Sequence, residues 1–70
     1  MENWDYLHIM SEEGHPRYVN GQEIPNWQQG PTVSEAVNYL GWKGWLLLFS
    51  EPSALRLGYG ELTLIRPKQS

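Results

Sequence analysis

The stretch Pro31–Ser50, PTVSEAVNYLGWKGWLLLFS, constrains the fold more than any other part of the chain. Thr32 followed three residues later by Glu35 is a capping box: the Thr32 hydroxyl accepts from the Glu35 backbone N–H while the Glu35 carboxylate reaches back. Ser34 is a competing cap two residues later. Val33, Ala36, Val37 and Leu40 recur at helical spacing and form one apolar stripe, with Glu35 and Asn38 opposite. Gly41 comes next, where a left-handed residue is expected to end the helix without a Cβ penalty. A helix this short is marginal alone, so it has to be held against a sheet. After Gly44 the pattern becomes a continuous apolar run, Trp45–Phe49, which suits a strand covered on both faces. One helix covers one face of a small sheet. The other face needs a loop, a second copy of the chain, or a partner.

Seventy residues make a single small domain, 1–70, whose core is limited by its surface-to-volume ratio. No cysteine is present, which removes disulfides as staples and thiolates as metal ligands. Four Trp and four Tyr favour either dense aromatic packing or oligomerisation as the compensating device. The formal net charge is −3 and the basic residues are scattered, which weighs against non-specific binding to nucleic acid or an anionic membrane, where phosphate contacts dominate affinity. The opening MENWDYLHIM lacks a basic region and a long apolar core, and Trp45–Phe49 is too short to span a bilayer. These features predict a soluble cytoplasmic protein with no nucleic-acid or membrane partner.

Around the central unit the rest reads as sheet and loop. Asn3–Ser11 alternates, with Trp4, Tyr6, His8 and Met10 on one side and Leu7 and Ile9 on the other, so a strand is expected with Leu7 and Ile9 facing the helix. Glu12–Pro16 is a polar break with turn chemistry. Asn20-Gly21 between Val19 and Gln22 is a hairpin signal, and Pro25 confines the second arm to a sheet edge. Pro25–Pro31 is an uncharged loop with Trp27 in its middle. Glu51-Pro52-Ser53 is a second break, Leu55–Tyr59 is either a short strand or an irregular arm, and Glu61–Arg66 is a final strand stopped by Pro67. The expected fold is α+β, a small antiparallel sheet of about four strands with one helix on one face.

The chain carries little that does chemistry. His8, Glu12, Glu13 and His15 are the ligand-type residues that lie close in sequence, but a metal centre needs several converging on one point, and a mid-strand histidine with an acidic turn does not require that. Ser11, Ser34, Ser50 and Ser53 sit in no elbow-like context beside a base, so no enzyme is predicted and no cofactor is expected. Gly41-Trp42-Lys43-Gly44 is too short to cradle a phosphate and reads as a helix end with a tight turn.

Three segments carry a family likeness: Trp4-Asp5-Tyr6, then Asn38-Tyr39-Leu40-Gly41-Trp42-Lys43-Gly44-Trp45, then Leu64-Ile65-Arg66-Pro67. In them the chain resembles the small bacterial and phage domains grouped as domain-of-unknown-function family 4177. Leu46 stands where that family usually has a glutamate, and Trp42 where a small or charged residue is common, which makes this chain greasier around the turn. The resemblance implies a compact sheet with one helix and brings no established activity.

The residues therefore predict a non-enzymatic interaction module whose second sheet face is closed by a homodimer. Trp4, Tyr6, His8 and Trp45 are the candidate interface, and Trp27 and Trp42 a candidate outer recognition patch. The alternative is a small-molecule binder with a pocket beneath the Trp27 loop.

Overall fold

The computed structural model describes residues 3–52 and 59–68. Of the expected arm Leu55–Tyr59, residues 55–58 lie outside the described residues. The elements are β1 (Trp4–Glu12), β2 (His15–Val19), β3 (Gln22–Glu23), a 3₁₀ turn (Trp27–Gln29), α1 (Val33–Trp42), β4 (Leu46–Pro52) and β5 (Gly60–Pro67). They build one antiparallel sheet in the order β3-β2-β1-β5-β4, one strand more than expected, with α1 on one side. The fold is α+β.

Two tight turns set the β1–β2–β3 meander. Asn20 and Gly21 both have positive φ, 51° and 85°, the condition of a type I′ turn that matches the strands' own twist. Glu13 and Gly14, at 55° and 82°, repeat that conformation between β1 and β2, inside what the sequence marks as a polar break. Asn20 also prolongs the ladder beyond Val19. Its N–H donates to the His8 carbonyl at 2.8 Å, and its Oδ1 accepts from the His8 N–H at 2.9 Å.

The capping box forms as the sequence indicates. The Glu35 N–H donates to the Thr32 hydroxyl at 3.2 Å, and the Thr32 N–H to the Glu35 carboxylate at 2.9 Å. Satisfying these end groups contributes about 1 kcal/mol to a helix of this kind. The Val33 N–H finds the Gly14 carbonyl at 2.9 Å, and the His15 Nδ1–H donates to the Pro31 carbonyl at 3.0 Å. The start of α1 is thereby tied to the β1–β2 turn.

The far end of α1 departs from expectation. Gly41 stays inside the helix, which runs to Trp42, and it is Gly44 that adopts the left-handed conformation, φ 94°. The Trp45 N–H then returns to the Leu40 carbonyl at 3.0 Å, so the helix closes one short turn later than the first glycine suggests.

The core lies between α1 and the middle strands. Ile9, Leu62 and Leu64 are buried, and Leu7, Val19, Val33, Val37, Leu40 and Trp45 pack around them. Leu7 and Ile9 thus face the helix, as the alternation of β1 requires. No helix among the described residues is long and apolar enough to cross a membrane.

Candidate functional site

Side chains alternate across a strand, so the face of β1 away from α1 carries Trp4, Tyr6, His8 and Met10. Register extends this face across β5 and β4. Tyr6 lies opposite Ile65, His8 opposite Thr63 and Met10 opposite Glu61, while Ile65 lies opposite Leu46 and Thr63 opposite Phe49. Trp4, Tyr6, Met10, Leu46 and Phe49 are all exposed, Tyr6 at 60 %. Four large apolar side chains in a row along β4, Leu46–Phe49, are each about half exposed, between 48 % and 60 %. The result is an apolar sheet face with no cover among the described residues.

Its polar groups gather at one end. The His8 ring pairs with Glu61 through Nε2 at 2.9 Å, and Glu51 stands directly across from Glu61 on the neighbouring strand. Like charges opposite one another on a sheet repel, and His8 supplies the compensating contact to one of them. Next to them Arg17, the extra residue of a bulge in β2, bridges Glu12 at 2.7 Å and Glu23 at 2.8 Å. Hydrogen bonds from Glu12 first and Glu23 second hold the Arg17 pKa still further above its ordinary value, so this cation is fixed at every working pH. The opposite end of the same face, Trp4, Tyr6, Ile65 and Leu46, holds no charged side chain.

The six residues singled out from the sequence separate into four groups. Trp4, Tyr6 and His8 share the open face, with His8 engaged by Glu61. Trp45 goes elsewhere. Its indole joins the core cluster on the helix side and carries the Arg66 guanidinium 4.3 Å above its ring, because Trp45 precedes β4 and lies one residue out of step with open-face Leu46. Trp27 is half-buried in its 3₁₀ turn, with the Arg17 guanidinium 4.9 Å from its ring centroid. Trp42 ends α1 and is 92 % exposed, the freest large side chain described. Trp27 is therefore occupied by an internal contact, and Trp42 alone is presented outward.

Sequence reading missed the contribution of β4. The run Trp45–Phe49 signals a strand covered on both faces, yet β4 closes the sheet as an edge strand and is exposed from Leu46 to Glu51. That mismatch is visible only once the strand order is known.

A second feature lies on the helix side. A groove of about 670 Å³ opens between α1 and the β1–β2 pair, lined by Leu7, Ile9, Val19, Ala36 and Leu40, with Ile24 and Pro31 from the two ends of the Trp27 loop. Trp27 itself does not line it. Among the described residues no three groups of His, Cys, Asp or Glu converge as a metal site would require: His8 goes to Glu61, His15 to a backbone carbonyl and Glu12 to Arg17. Set against known families, curated proteins and solved structures, the chain matches none.

Proposed function

We propose that this chain is a non-enzymatic interaction module that closes its open sheet face on a second copy of itself. The observation that carries the reading is the uncharged end of that face, where Trp4, Tyr6, Leu46 and Ile65 lie side by side with no cover among the described residues. Exposed apolar patches of this kind mark interfaces. Trp4, Tyr6 and His8 would form the contact with Leu46 and Phe49, and Trp42 would remain outside it as a recognition residue for another protein.

The test is solution mass by light scattering behind a sizing column, over a dilution series. Tyr6→Glu places a carboxylate on a residue already 60 % exposed, so the isolated chain tolerates it. The substitution is expected to halve the mass of the assembly while the circular dichroism spectrum stays that of the parent. A folded Tyr6→Glu chain with unchanged mass would overturn the reading.

The groove favours a second reading, that of a small-molecule binder. Its volume falls within the roughly 300–1,000 Å³ of ligand pockets and its lining is mostly apolar. Melting temperature screened against a metabolite panel is expected to rise and saturate with one compound. Ala36→Phe, which fills the groove, should abolish that rise; a rise that persists in the variant places the compound elsewhere.

A further inference from the structure

The patterning of β4 and its position in the sheet make opposite demands. Leu46 and Phe49 project to the open face, Leu47 lies opposite Leu64 on the helix side, and Leu48 is the extra residue of a bulge between them. All four are exposed although they belong to both faces. Docking on the open face alone would leave Leu47 in water, together with the outer row of backbone N–H and C=O groups. Among the described residues β4 has a single sheet neighbour, β5. Long apolar edges are normally blunted by lysine, proline, inward-pointing charge or bulges; β4 has only the Leu48 bulge and a proline at its last residue, Pro52, and no charge interrupts Trp45–Ser50. The other edge is managed as expected. β3 is two residues long, carries Glu23 and is followed within two residues by Pro25.

We infer that β4 is a strand-pairing edge, and that its occupant is β4 of a second copy, aligned antiparallel across a two-fold axis perpendicular to the sheet. Adding a strand satisfies the outer backbone groups and gives Leu46–Phe49 lateral cover on both faces at once. Charge selects the alignment. The C-terminal end of β4 carries Glu51, which already faces Glu61, whereas its N-terminal end follows Lys43 and the Trp45 ring on which Arg66 is stacked. Antiparallel pairing brings each acidic end beside the other copy's basic end. Parallel pairing would set Glu51 against Glu51. Self-pairing across one two-fold is isologous and closes on itself, so it does not lead to filaments. This contact is separate from the open-face contact proposed above, and the two together give a four-chain assembly.

Leu48→Lys tests the edge directly. Leu48 sits at the bulge and is 58 % exposed, so lysine is accommodated in the single chain but is driven into the centre of the paired strands. It is expected to weaken edge association by about tenfold or more and to halve the assembly mass at micromolar concentration. Tyr6→Glu reports on the face contact alone. Leu48→Lys with Tyr6→Glu should then be a monomer, so failure of either contact is seen independently of the other. The chain has no cysteine of its own, so a Leu48→Cys variant offers a unique thiol near the centre of β4. Oxidation is expected to give a disulfide-linked dimer, whereas a Tyr39→Cys variant, at an exposed position of α1 bordering the groove, gives none. Leu48→Lys with unchanged mass, or a Leu48→Cys chain that does not cross-link, would overturn the inference. Either result would leave β4 to a strand from another protein.

Discussion

Leu64→Ala is expected to remove about half or more of the domain's stability. Leu64 is 1 % exposed and stands at the middle of the sheet, paired with Leu7 on β1 and Leu47 on β4. Among the described residues Ile9 is comparably enclosed and Leu62 slightly less so, and these three form the buried hydrophobic core. Truncating a buried leucine costs about 2–5 kcal/mol, the upper part of that range where the surroundings cannot collapse into the cavity. Here strands on both sides and α1 above hold the cavity open. A domain of this length has a total stability of roughly 4–10 kcal/mol. The loss therefore consumes about half of it or more. Urea denaturation followed by circular dichroism is the measurement, and a midpoint shift worth less than about 1 kcal/mol would show that the core is not centred on Leu64.

Trp45→Ala comes next in size and separates the four tryptophans by role. Trp45 joins the helix-side core, supports the Arg66 guanidinium and follows the Gly44 turn that brings the chain from α1 into β4. Removing the indole takes away packing against Leu40 and the sheet together with a cation–π contact, an expected loss of about 3 kcal/mol. It also leaves the Arg66 Nε, a buried donor without a protein acceptor, with nothing stacked beside it. Trp45→Phe should recover most of the loss. Trp42→Ala, three residues earlier and 92 % exposed, should change stability by no more than about 0.5 kcal/mol. Equal losses at Trp42 and Trp45 would show that the indoles do not divide in this way.

That division marks the limit of what could be read from the chain. Trp42 and Trp45 flank the same turn in the sequence. Their fates differ because the helix runs through Gly41 and turns left-handed only at Gly44, which points one ring outward and the next into the core. Either glycine could have supplied the stop. The choice fell to the contact between the Trp45 indole and the sheet, which is a tertiary term.

Local chemistry determined the capping box at Thr32 and Glu35, the I′ turn at Asn20-Gly21, the alternation that turns Leu7 and Ile9 toward the helix, and the end of β5 at Pro67. Each depends on groups within a few residues of one another, so sequence spacing suffices to specify them. The open face was legible for the same reason, since a period of two assigns Trp4, Tyr6 and His8 together whatever lies across from them. Strand order was not legible. Nothing local says that β5 inserts between β1 and β4, because that placement is settled by which strands can jointly bury Leu62 and Leu64 beneath α1. The same choice sent β4, the most apolar strand, to the edge. Its composition suits an interior position, and the described strands place it at the edge instead.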